Sequence, residues 1–528
     1  MSSDSVIIGK NIIEILTTGM YHNPLVIFRE YIQNSIDAIN EAVNREILDD
    51  ILEGDVQVTI DKEKRFVAFE DNGIGVPAEN SWKILTSIAS SNKDRTKNLG
   101  FRGIGRLAGL AYCDELVIET SFKGEPTKSV LQWDGRKLRE IIGDKKDKKL
   151  ASEVIETITT LNDDLPERED AHYFKVKLQA VKNDKLLDVE SIKKYLRMVA
   201  PLQFNNLQFM FTPQIKQGLI DRGISCDGYK IFVNTDELFK SYHNNVYQKD
   251  TNQKKRIDEI IDIQFCELHS KGNNLLAVGW YTLTKNMQLI PVFNEAWGIR
   301  FRKGNIQIGD EFTLQRFFRE NRFHRYFFGE IHVVHDELFP NGQRDYFDEC
   351  KLLGEFENEL QKLTDKLHSI CRKASDWNIA EKKVEACATE IAKFEQTLKT
   401  QEFYSPEHEE EEKEKLDKIK ENAEKAKKQL KKIEQYAEDN DALRRFVDYR
   451  QNNKPKPIQN PNEKGEKKQT PKHNEKKYKS NKLSKLNRKE QKLVGEIYEV
   501  IRTILPPDLQ KVLIYKIEEK FGISKISE

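Results

Sequence analysis

The chain has 528 residues, 38% hydrophobic and 33% charged, and its 87 Lys+Arg balance 87 Asp+Glu, so length allows three or four domains and net charge argues neither for nor against a nucleic-acid partner. Six scattered cysteines form no CxxC pair, which argues against a disulfide framework or a zinc site. No apolar run reaches the ~18 residues of a membrane span, and MSSDSVIIGK lacks a secretion-signal pattern, so the expectation is a cytoplasmic protein without a membrane partner.

Residues 1–180 mix helix and strand. Asn23 and Pro24 read as the N-cap and first position of a helix that carries FREYIQNSIDAINEA, residues 28–42. Within it Glu30, Asn34 and Asp37 stand at i, i+4 and i+7, one polar stripe, while Ile27, Tyr31, Ile32, Ile36 and Ile39 can bury other faces. DVQVTIDKEKRFVAFEDNGIGV reads as two alternating strands ending in a loop with Asp71, Gly73 and Gly75. A helical SWKILTSIA and a polar link then lead to GFRGIGRLAGLAY, with Gly100, Gly103 and Gly105. Strands follow in DELVIETS, SVLQWDG and HYFKVKLQAV.

A second α/β domain is expected over residues 181–376, with strands in YKIFVN, LLAVGWYTL, WGIRFRKGNIQI and FFGEIHVV. Residues 377–448 read as helical. There Leu416, Ile419, Ala423, Ala426, Leu430, Ile433 and Ala437 alternate steps of three and four, as in an antiparallel hairpin or a partner-seeking coiled coil. Residues 449–488 read as a disordered linker: 452–488 holds 12 Lys/Arg against 3 acids and too few apolar residues for a core. Such a tract suits a solvated tether or a nucleic-acid contact. Residues 489–528 return to a helical pattern and read as a small terminal domain.

Three of these elements make a chemical set. A carboxylate at a strand end, flanked by glycines that admit close backbone approach, suits a purine's exocyclic amine. Glycines opening a helix suit phosphate, because free N–H groups and the helix dipole favour anions. An Asn oxygen is a reasonable Mg²⁺ ligand beside phosphate oxygens and water, and a Glu one turn away can deprotonate an attacking water. No GxxxxGK[ST] loop occurs, and GIGRLAG misses the GxGxxG spacing.

In this order FREYIQNSIDA, DNGIG and GFRGIG resemble the three nucleotide-binding motifs of the GHKL ATPases, which include ninety-kilodalton heat-shock chaperones, type II topoisomerases, MutL, MORC proteins and histidine kinases. The chaperone pattern is matched by Arg29, Glu30, Asn34, Asp37 and Ala38, and LTSIASSN resembles the entry to the chaperone lid. The resemblance covers roughly residues 9–120 and implies an α+β fold with the GHKL (Bergerat) ATP-binding sandwich. It makes Glu30 the general base, Asn34 the Mg²⁺ ligand and Asp71 the adenine-amine acceptor. Gly75 would lie beside the base, with Asp37 and Gly73 in the same pocket. Gly100, Gly103 and Gly105 would cradle phosphate under a lid at about Ser87–Asn98. One departure stands out: the family's late Gly-Thr pair is absent from the corresponding EDAHYFKVKLQ. Another group or water then replaces the threonine hydroxyl, or adenine is held less tightly.

DELFPNGQRDYF resembles the chaperone middle-domain segment in which an Asn precedes a catalytic arginine by three residues, which maps Asn341 and Arg344. Read without the resemblance, Arg344 and Asp345 make an ordinary loop ion pair. Arg300, Arg302, Arg316, Arg319, Arg322 and Arg325 suit a phosphate chain or, more simply, a solvated face. The resemblance implies an ATP hydrolase that binds ATP and Mg²⁺ and works a homodimeric clamp on a protein client. The alternative is a MORC- or MutL-like nucleic-acid clamp in genome maintenance or anti-phage defence, with 452–488 as the contact.

Overall fold

The computed structural model describes residues 8–15, 23–87, 108–144, 146–225, 228–250, 253–400, 403, 406–453 and 486–521. The second glycine cluster, with Gly100, Gly103 and Gly105, lies outside the described residues, as do most of Ser87–Asn98 and most of 452–488. The chain divides into two compact units, Met1–Cys371 and Arg372–Glu528. Among the described residues no helix is long and apolar enough to cross a membrane.

The first unit is α+β. It opens with a short helix, α1 (Asn11–Glu14), and the long α2 (Val26–Asn44). The helix begins later than Asn23: the Asn23 carboxamide accepts from the Leu25 N–H at 3.1 Å, closing a turn ahead of Val26. There follow β1 (Asp55–Asp61), β2 (Phe66–Asp71), α3 (Ala78–Thr86), β3 (Glu115–Ser121) and β4 (Thr127–Asp134). Next come α4 (Gly135–Gly143), α5 (Ala151–Ile158), β5 (Thr159–Pro166) and β6 (Tyr173–Gln179). After α6 (Val189–Val199) and α7 (Thr212–Ile220), β7 (Lys230–Val233) and β8 (Asp236–Glu237) complete an eight-stranded sheet. Its order is β5-β4-β3-β6-β2-β1-β7-β8. All neighbours are antiparallel except β1 and β7, where Val56 stands opposite Ile231.

One face of this sheet carries α2. Ile27, Phe28, Tyr31, Ile32, Ile36 and Ile39 are buried against Val56, Val58, Val67 and Phe69. Side chains of this size are each worth roughly 1.5–3 kcal/mol when fully buried, ample to fix the helix. The core continues to Leu238, so the first domain does not close at residue 180. The parallel β1–β7 pairing needs a helical crossover, which α6 and α7 supply.

The second sheet is built from β9 (Asn245–Asp250), β10 (Gln253–His269), β11 (Leu275–Thr284), β12 (Gly298–Lys303), β13 (Ile306–Ile308) and β14 (Phe328–Val333). The order is β13-β12-β14-β11-β10-β9, with β12 and β14 parallel. Arg300 and Arg302 are buried here rather than solvated. The Arg302 guanidinium pairs with the fully buried Glu330, which also takes the Lys240 ammonium at 2.8 Å and the Tyr242 hydroxyl at 2.8 Å. Burial alone would raise the Glu330 carboxyl, but Arg302 and Lys240 hold it well below the usual carboxylate range. Arg302 Nη2 also reaches the Met198 carbonyl at 2.8 Å, tying the end of α6 to this sheet.

The long helix α8 (Leu353–Lys399) begins in the first unit, where Phe356, Leu360, Leu367 and Ile370 are buried. In the second unit it is followed by α9 (Pro406–Ala437), α10 (Asp441–Asn452), α11 (Arg488–Ile504) and α12 (Pro507–Lys520). Lys373 stacks over Tyr436 at 5.0 Å, Glu381 pairs with Arg450, and Phe394 meets Phe403 at 5.4 Å. Lys373 thus meets the end of α9 while Phe394 meets the residue just ahead of it, so the chain doubles back, and α10 adds Arg450 to the same helix. Leu416, Ala423, Ala426, Leu430, Ile433 and Ala437 are buried. Helices α11 and α12 share a small core of Val494, Tyr498 and Ile501 against Ile514 and Ile517.

Candidate functional site

The polar stripe of α2 is held in place by the apolar faces beside it. Glu30 and Asp37 are buried and Asn34 is half-buried between them. Tyr31, one residue on, accepts from the Gly109 N–H at 3.1 Å, and burial pushes its phenol well above the ordinary value. This contact ties α2 to the chain emerging from the second glycine cluster.

Asp71 closes β2 and is 2% exposed. Its Oδ1 accepts from the Gly73 N–H at 3.0 Å, and the Ser35 hydroxyl of α2 also bonds to it. Burial pushes the carboxyl up to about 7; the Ser35 and Gly73 hydrogen bonds oppose the shift, while Glu70 and Asp55 add to it. The loop that follows runs against α2 and β3. Ile74 N–H donates to the Ala38 carbonyl at 3.1 Å. A Cβ on Gly73 would stand 2.6 Å from Ala38 Cβ. Gly75 has φ +68°, and a Cβ there would lie 1.9 Å from the Ser121 carbonyl oxygen, so only glycine fits.

No Gly-Thr pair opens β6, and two other groups hold the loop. The Thr120 hydroxyl on β3 accepts from Val76 N–H at 2.9 Å and donates to the Tyr173 carbonyl at 3.0 Å. His172 sets its Nδ1 3.0 Å from the Gly73 carbonyl. Neither residue stood out in the sequence. A threonine inside a strand carries no signal of its own, and neither does a lone histidine just ahead of one.

Arg344 reaches this stripe from the second sheet. Its loop closes on itself: Arg344 N–H donates to the Asn341 carbonyl at 3.0 Å, and Asn341 and Asp345 exchange two further bonds. Arg344 adopts φ 56°, a conformation that non-glycine residues adopt only when the surroundings impose it. Its carbonyl accepts from Gly309 N–H at 2.8 Å, at the end of β13. Arg344 Nε stands 3.3 Å from Glu30 Oε1. Arg29 Nη2 lies 3.3 Å from the same oxygen and donates to the Gln343 carbonyl at 3.2 Å. Two guanidinium groups thus surround one carboxylate, and the net charge of the cluster is positive. Tyr195 on α6 lies close by; burial raises its phenol, with Arg29, Glu30 and Arg344 also acting on it.

The structure therefore brings Glu30, Asn34 and Asp37 onto one face, Asp71, Gly73 and Gly75 beside that helix, and Arg344 onto Glu30. Gly100, Gly103 and Gly105 lie outside the described residues. Among the described residues no group of three or more His, Cys, Asp or Glu is placed to hold a metal ion.

Residues 22–165 match the family described as histidine kinase-, DNA gyrase B- and HSP90-like ATPase. The chain is 27% identical over 139 residues to the chaperone protein HtpG of Acinetobacter baylyi, covering 23% of this chain and 22% of that protein. It is 28% identical over 143 residues to HtpG of Shewanella denitrificans, covering 24% and 22%. With HtpG of Shigella dysenteriae it shares 27% over 142 residues, covering 24% and 23%. The matched segment spans less than a quarter of the length of these relatives. Over residues 22–165, the segment that carries Glu30, Asn34, Asp37 and Asp71, this chain is thus similar to the GHKL ATPases in its motifs and in its helix-on-sheet layout.

Proposed function

We propose that the chain is an Mg²⁺-dependent ATP hydrolase of the chaperone-like GHKL class, working as a homodimeric clamp on a protein client. The observation that carries this reading is the convergence of Arg344 and Arg29 on Glu30 Oε1, both at 3.3 Å. A binding module has no use for a buried general base gripped by an arginine from a second sheet. Adenine suits this place because Asp71 offers a buried acceptor for the exocyclic amine, and Gly73 and Gly75 let the adjoining loop pack closely against Ala38 and Ser121.

In this reading Glu30 takes the proton of a water as its oxygen attacks the γ-phosphorus, and the bond from that phosphorus to the β,γ-bridging oxygen breaks, giving ADP and phosphate. Arg344 and Arg29 stabilise the charge that gathers on the phosphoryl oxygens. Asn34 would hold Mg²⁺, which when bound neutralises phosphate charge. Asp71 and the Gly73–Gly75 loop fix the base, with Asp37 supporting the same face. Gly100, Gly103 and Gly105 would cradle phosphate.

The test is ATP affinity and turnover side by side. Glu30→Ala and Arg344→Ala should bind ATP and lose about a hundredfold or more in kcat, whereas Asp71→Asn should fail to bind. Wild-type binding without turnover would reduce the site to a nucleotide-reading switch. The nucleic-acid clamp stays the second reading, and its basic tract makes a steep salt dependence of DNA binding the observation that would favour it.

A further inference from the structure

Between Asp71 and β6 lies a contact that the proposed chemistry does not use. Gly73 is held on both sides by side chains: Asp71 Oδ1 accepts its N–H at 3.0 Å, and the His172 ring meets its C=O at 3.0 Å. A carbonyl oxygen only accepts, so Nδ1 of His172 carries the proton, and in the neutral ring Nε2 is left as an acceptor. His172 is half-buried, unlike the fully buried His324 in the turn ahead of β14. Its Nε2 has no partner among the described residues. Thr120 supplies a hydroxyl to the other end of the loop, at Val76.

We propose that His172 is a base-selecting residue, presenting Nε2 beside the Asp71 carboxylate as a second acceptor for the exocyclic amine of an adenine nucleotide. The inference rests on the nucleotide-binding reading of this site and names what sets its base preference. Two acceptors on one side of the pocket match an amine, which carries two hydrogens, and repel the exocyclic oxygen that guanine presents at the same place. A site built of acceptors rejects the wrong base chiefly by leaving buried groups unpaired.

Two substitutions separate the bond to Gly73 from the acceptor. His172→Asn keeps a donor at the position of Nδ1 and removes Nε2. His172→Gln places an amide oxygen near Nε2 and gives up the bond to Gly73. Calorimetric titration of the full chain with ADP and GDP reads both. The Asn variant should melt with the wild type and lose about three- to tenfold of the preference for ADP over GDP, the value of one hydrogen bond. The Gln variant should bind both nucleotides more weakly and keep most of the preference. An unchanged preference in the Asn variant overturns the inference alone and leaves His172 a strut. Failure of the wild type to bind ADP overturns the nucleotide reading and this inference with it.

Discussion

Asp71 has two opposed duties at the scale of a single residue. Buried under α2, its carboxyl is pushed up to about 7, yet as an acceptor for an amine it must be ionised. Its folded value stands above its unfolded value, so the folded state gains from it fully below about pH 4 and loses that gain as pH rises through about 7. Asp71→Asn should therefore raise the melting temperature of the nucleotide-free protein at pH 8 relative to wild type, with a smaller gain at pH 5. Thermal unfolding at the two pH values checks this. The stripe of Glu30, Asn34 and Asp37 is legible in the sequence because helical spacing alone puts the three on one face. The neighbours that tune them are not. Ser35 reaches Asp71 across 36 positions, and Arg29 reaches Gln343 across more than 300, and no local pattern encodes such pairs.

Among the elements, the strands that alternate plainly are readable: β1, β2, β3, β11 and β14 occupy the segments their patterns mark. The 17-residue β10 is not, because its first half reads as a charged run and only its second half alternates. The extension of the first sheet to β7 and β8 is hidden as well, since a parallel partner lies far away in sequence. Arg302 shows how pattern misleads about burial, for a charged residue reads as solvated until its counter-charge is found. Glu330 is that counter-charge, and removing it would leave Lys240 and Arg302 buried without compensation. Glu330→Ala should cost about 3–5 kcal/mol, read as a lower midpoint of urea unfolding.

For the whole molecule, the proposed clamp needs a second copy, and α11 offers a surface for it. Leu493, Ile497, Val500 and Ile504 advance by four, three and four residues and are 41–72% exposed, while Val494, Tyr498 and Ile501 are spent on α12. Such spacing is that of a coiled-coil seam, which a second copy of the same helix fits. The pair Ile497→Asp and Ile504→Asp should convert a dimer to a monomer by sedimentation velocity while leaving ADP binding intact. An unshifted sedimentation coefficient would place the contact elsewhere.

Gly73, held through both its N–H and its C=O, has one more consequence, for spectroscopy. Its amide proton ends on Asp71 Oδ1, so the Gly73 cross-peak in a nitrogen–proton spectrum is a built-in indicator dye for that carboxylate. As the oxygen gains charge the amide resonance should move downfield, and its inflection reads the state of the base pocket before any ligand is added.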